Sequence, residues 1–267
     1  MRKNILTVLL LFTLLLSATA CGLLQEPAAP SATIEAVPLD IEEADEPAVV
    51  EEPTEAAEEP PVELDESEET AAETDASTEE TAVETDAAAG VTIFEISQSE
   101  SEVRFELDED LRGSRLTVVG TTNQVAGQIG LDFSDLSTAQ VGEIQINART
   151  LATDNNFRNR AIQNEILDTG AYEFISFVPT AVNGLPTSAA VGEEISFTID
   201  GNLTIRDITE PVTFSVVATA VSDSQISGTA TATVLRETYG LTIPEVPNVA
   251  NVENEVDLII TFVANAS

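Results

Sequence analysis

The stretch Ile144–Phe177, IQINARTLATDNNFRNRAIQNEILDTGAYEFISF, decides the fold, because it sets two strand patterns around a short segment of helical spacing. Ile144, Ile146 and Ala148 alternate with Gln145, Asn147 and Arg149, the period of two that gives a strand one apolar and one wet face. Ile175 and Phe177 repeat the alternation against Phe174 and Ser176. Between them Phe157, Ala161, Ile162, Glu165 and Ile166 recur at helical spacing, which predicts two or three turns lying across an opening or an edge. The order is strand, excursion, strand.

The same alternation continues on both sides. Val103, Phe105 and Leu107 oppose Arg104 and Glu106; Phe197, Ile199, Leu203 and Ile205 share a register with Gly201, where a strand can coil sharply. Val212, Phe214 and Val216 follow Pro211, and Val256, Leu258, Ile260 and Phe262 form the last apolar row. With turn signals at Gly113, Asn183-Gly184 and Asp223-Ser224, the pattern predicts an all-β antiparallel barrel or sandwich over 91–267, long enough for one sizeable core. A barrel of about eight strands either fills with side chains or keeps room for one elongated ligand. The small residues Gly127, Gly201, Ala218, Ala230 and Ala232 and the absence of Trp favour room. On that reading Phe105→Trp and Gly201→Leu fill the lumen and leave the barrel folded.

Three segments carry a resemblance to a known family. The first is the opening stretch, through Leu151, Thr153, Asn155, Arg158, Ile162, Leu167, Asp168, Tyr172 and Phe177. The second is GNLTIRDITEPVTFSV, Gly201–Val216, with Asp207 where a glycine is usual, and the third is LRETYGL, Leu235–Leu241. Together they resemble the YceI-like family over about Phe94–Val263. The resemblance implies an eight-stranded lipocalin-like antiparallel barrel that carries polyisoprenoid or other long amphiphilic lipids. The chain departs from many members in having no histidine, so no role tied to one carries over.

The ends carry a separate message. Arg2 and Lys3 precede an apolar run from Ile5 to Leu16, and Ala18 and Ala20 stand before Cys21. This predicts a lipoprotein signal peptide over 1–20, with Cys21 acylated, for example by palmitate, and holding the chain outside the cytoplasm on a cell or outer membrane. Cys21 is the only cysteine, so no internal disulfide forms. Residues 22–90 hold 23 Asp and Glu and no Lys or Arg, a composition that predicts a disordered acidic tether over 21–90. As a flexible coil it spans about 45 Å. Residues 91–267 keep 25 acids against 8 arginines, which excludes an electrostatic footprint for nucleic acid.

The expected site is therefore a barrel interior. Its first half comprises Val103, Phe105, Leu107, Ile129, Ile146 and Ile162; its second half begins with Ile175, Phe177, Phe197, Ile199 and Leu203 and ends with Phe214, Leu258 and Phe262. For each of these plain core packing is the competing reading. Arg158 and Tyr172 are the candidates for a headgroup at the mouth, Arg158 with an ion pair to Asp154 or Glu165 as its alternative. Arg236 is read as ordering the Tyr239-Gly240 bend through backbone carbonyls. No metal spacing, cofactor fingerprint or base-activated nucleophile stands out. The expected function is a tethered binding protein for a polyisoprenoid, quinone-like or fatty-acyl lipid, without enzyme activity or cofactor. The alternative is a structural or protein-interaction module with a filled barrel. A homodimer is left open.

Overall fold

The computed structural model describes residues 26–31, 33–39 and 90–267. The expected signal peptide, Cys21 and residues 40–89 of the expected tether lie outside the described residues.

Alternating apolar residues form thirteen antiparallel strand segments among the described residues, all in one sheet. β1 (Thr92–Ile96), β2 (Glu102–Leu111) and β3 (Ser114–Thr122) come first, then the short β4 (Val125–Ala126), β5 (Gln128–Leu131), β6 (Gln140–Val141) and β7 (Ile144–Asn147). After the helical excursion follow the long β8 (Phe174–Asn183), β9 (Glu194–Ile205), β10 (Ile208–Ser222) and β11 (Gln225–Leu235), and finally β12 (Val249–Ala250) and β13 (Glu255–Ala266). The neighbour order is β4, β7, β8, β9, β10, β11, β13, β1, β5, β6, with β2 branching from β13 to pair β3 and β12.

The two ends of that order are chain neighbours. Gly127 alone separates β4 from β5, and Gly142 and Glu143 separate β6 from β7. The sheet therefore curls back on itself as a half-barrel, and a bridge between Thr121 and Ala152 ties β3 across the seam. The strand count exceeds the expected eight because bends split long runs: 114–131 is one run broken at 123–124 and at Gly127. A Cβ at Gly127 would stand 2.4 Å from Ile144 Cδ1 and 3.2 Å from the Glu143 carbonyl oxygen, so only glycine lets the run bend there.

Three phenylalanine rings lie over glycines of neighbouring strands. Cβ atoms on Gly120, Gly201 and Gly228 would come within 2.2 Å, 2.4 Å and 2.9 Å of the rings of Phe105, Phe177 and Phe262. This corrects the reading of Gly127 and Gly201 as open lumen, because Ile144 and Phe177 occupy their space. Such ring-on-glycine packing covers backbone that a small residue leaves bare.

The excursion is α1 (Asn156–Ala161) running into a π turn over Ile162–Ile166. Asn155 starts it, its side-chain oxygen accepting from the N–H groups of Phe157 and Arg158. Asp168 ends it at φ 46°, its carbonyl accepting from Ala171 and Tyr172. The buried Gln163 amide donates to the carbonyls of Arg149 and Leu151 at 3.0 Å and 3.1 Å, which joins the excursion to the end of β7.

Part of the segment read as tether is packed structure. Residues 26–31 and 33–39 run along the barrel wall as a strap. Arg149 Nη1 donates to the Ala29 carbonyl at 3.1 Å, and the Ser31 N–H and Oγ donate to Glu173 at 2.8 Å and 2.6 Å. Further along, Gln98 Nε2 donates to the Ile34 carbonyl at 2.7 Å and the Leu39 N–H to Gln128 Oε1 at 2.8 Å. Ile34 is buried, and Leu39 lies against Gly130 and Gly142 at the seam.

Glu173 makes this docking pH-dependent. Burial by itself would raise its carboxyl, but hydrogen bonds from Ser31, one from Asn147 and the Arg149 guanidinium hold it below its ordinary 4.5. A carboxylate depressed in the folded state stabilises above its unfolded pKa and loses that contribution as pH falls through the folded one. The strap is expected to stay docked down to about pH 4.5 and to loosen below it. Protection of the Ser31 amide, corrected for intrinsic exchange and followed against pH, checks this; release at neutral pH would refute it.

Candidate functional site

Inward residues of the curled sheet do not fill it. A cavity of about 330 Å³ occupies the end that carries α1, and one of about 110 Å³ occupies the other end. One water needs roughly 10–15 Å³ by a comparable measure and small-molecule sites begin near 300 Å³, so the larger cavity has the size of a ligand site. The linings of both are almost wholly apolar.

Val103, Phe105 and Leu107 from β2, Ile146 from β7 and Ile175 from β8 line the larger cavity, as do Ile162, Leu203 and Leu258. Ile129, Phe197, Ile199 and Phe262 line the smaller one. Phe177 and Phe214 line both. Their rings meet edge to face, centroids 4.9 Å apart at 72°, and form a wall between the chambers.

Helix α1 and the loop 241–252 frame the mouth of the larger cavity through Phe157, Arg158, Leu241, Ile243, Val246 and Pro247. Arg158 is held from both sides, Nη2 donating to Glu109 Oε1 at 3.0 Å and Nη1 to Asp154 Oδ1 at 2.6 Å. A guanidinium bracketed by two carboxylates offers no net positive charge to an anionic headgroup. Tyr172 lines neither cavity: the Arg206 guanidinium stands 5.9 Å from its ring centroid, and its N–H is tied to Asp168. Arg206 itself belongs to the two-residue turn between β9 and β10, at φ 59°. Arg236 donates through Nε to the Glu253 carbonyl at 3.0 Å and through Nη1 to that of Leu241 at 3.1 Å. It thus clamps the two ends of the mouth loop.

The sequence pattern missed Glu109, Tyr239 and the mouth loop. The loop, LTIPEVPNVANV, is rich in apolar residues but interrupted by Pro244 and Pro247, so it shows no strand period. Tyr239 is 1% exposed and lines the larger cavity, and its hydroxyl has no hydrogen-bond partner among the described residues. Burial, with the charge of Glu210, pushes its pKa up to about 12. An unpaired buried hydroxyl costs about 1–3 kcal/mol. Tyr239→Phe is expected to stabilise the ligand-free chain by about 1 kcal/mol; urea unfolding checks this, and a loss of stability would show that the hydroxyl has a partner.

A curled antiparallel half-barrel around an apolar lumen, entered past a short helix, places the molecule among the lipocalin-type β-barrels. The chain belongs to the YceI-like family, whose domain matches residues 94–264. Among solved structures it is similar to a polyisoprenoid binding domain from Saccharophagus degradans implicated in plant cell wall breakdown. That likeness has a TM-score of 0.53 at 12% identity over 65% of this chain and 98% of the other. It is also similar to Burkholderia cenocepacia BcnA, with a TM-score of 0.51 at 17% identity over 64% of this chain and 99% of the other. At these identities the likeness is one of fold. No curated protein matches the chain.

Proposed function

We propose that this chain is an extracytoplasmic binding protein, anchored by acylated Cys21, that holds a polyisoprenoid, quinone-like or other long-chain amphiphilic lipid in its lumen. The apolar cavity of about 330 Å³ behind the mouth carries the reading. Each Å² of tail withdrawn from water contributes about 25 cal/mol, so a long tail binds there without a charged partner. The bracketed Arg158 favours a neutral headgroup over a phosphate or carboxylate.

The wall formed by Phe177 and Phe214 favours a second reading, a structural or partner-binding module that takes no ligand. Native mass spectrometry with lipid extraction separates the two. The mature chain, secreted with Cys21→Ser, is expected to carry one lipid per barrel. A ligand-free mass that also fails to take up added quinones and fatty acids would move the assignment to the second reading.

A further inference from the structure

The geometry points to an oriented barrel: the strap turns the mouth of the larger cavity toward the bilayer that holds acylated Cys21, so that lipid passes directly between bilayer and lumen. This rests on the anchored-binding reading above.

The strap has a direction. Its start, at Ala29 and Ser31, is bound to Arg149 and Glu173, which flank the α1 excursion at the mouth end. Its finish, Leu39, lies against Gly130 and Gly142 near the small chamber. Five peptide links separate Cys21 from Glu26, a reach of at most about 18 Å. A free coil of the whole segment would instead let the barrel stand about 45 Å away in any attitude. Docking therefore shortens the tether and selects which end faces the membrane.

That end suits a bilayer surface. Phe157 is 67% exposed and Val246 40% exposed at the rim, beside Ile243, Pro244 and Pro247. Apolar side chains of this kind sink into the headgroup boundary, whereas they have nothing to gain in water. Residues 40–89 carry 21 Asp and Glu and no Lys or Arg, and at their attachment points Leu39 and, one residue past Gly90, Val91 both lie against Gly130. The twelve residues of β13 run the length of the barrel, about 36 Å of strand. Those attachment points thus stand several Debye lengths, each about 10 Å at 0.1 M salt, from the mouth.

The absence of Trp makes the test direct. The mature chain is coupled through Cys21 to a maleimide lipid in zwitterionic vesicles containing brominated phospholipid, with a single tryptophan from Phe157→Trp at the rim or Val191→Trp at the far end. Val191 is 55% exposed in the loop before β9. Emission from Phe157→Trp is expected to fall at least about twofold, and that from Val191→Trp to stay unchanged. Adding Ile34→Asp, which expels the strap, is expected to bring the Phe157→Trp signal back to the Val191→Trp level. If Ile34→Asp does not keep the native circular dichroism, Ser31→Ala with Gln98→Ala removes strap bonds more gently. Equal quenching at both positions, or quenching at Phe157→Trp that survives strap release, overturns the proposal. The mass of the chain taken from cell membranes tests the anchor separately: without acyl mass at Cys21 the anchored reading falls and the oriented role with it, whereas unoriented but acylated protein sinks the orientation alone.

Discussion

Gly201→Leu is expected to unfold the barrel, or to cost it at least about 3 kcal/mol, rather than merely plug its lumen. A Cβ at position 201 would lie 2.4 Å and 2.6 Å from Phe177 ring carbons and 2.7 Å from the Val178 carbonyl oxygen. The ring cannot swing away freely, because it is packed edge to face on Phe214. Nor does the backbone yield cheaply, since Gly201 is paired on both sides, with Pro179 of β8 and Val212 of β10. Against a total stability of about 5–15 kcal/mol, a loss of this size shifts the urea midpoint plainly. A Gly201→Leu chain as stable as the wild type would show that the ring does not occupy the glycine's space.

Leu258→Trp is expected to do what Gly201→Leu cannot, abolishing lipid uptake while the fold persists. Leu258 is half-buried, faces the larger cavity from β13 and sits between Phe105 on β2 and Ala232 on β11. The added indole enters space that no side chain fills, so its overpacking cost stays within about 1–3 kcal/mol, while the volume left for a tail falls sharply. Uptake of a fluorescent long-chain lipid is expected to drop about tenfold or more, while the urea midpoint falls by no more than that overpacking cost and the unfolding stays cooperative. Undiminished uptake would place the ligand outside this chamber and count against a lumenal site.

Local period carried much of the architecture. The alternation at Ile144, Ile146, Ile175 and Phe177 is that of β7 and β8, and Asn155 with its apolar followers became a capped turn of helix. What local pattern does not encode is where distant pieces meet. The curl depends on a close approach of Gly127 to Ile144, seventeen positions away. Glu109 meets Arg158 across 49 positions: it stands in the apolar register of Val103, Phe105 and Leu107, but the period does not name so distant a partner. The strap is the extreme case: its partners lie 64 to 142 positions away, and inside an acidic, alanine-rich composition only Ile34 and Leu39 hint at packing. Composition averages over a segment, whereas docking needs only two or three well-placed residues.

On the proposed function, the Phe177–Phe214 wall makes the lumen a ruler. A short tail fits the outer chamber and leaves the rings in contact. A longer one must part an aromatic pair worth about 0.5–1.5 kcal/mol beyond its buried area before it gains the inner chamber. Affinity plotted against chain length should therefore climb, level off at the length that reaches the rings, and climb again, so that the barrel discriminates among homologous lipids by the number of repeating units.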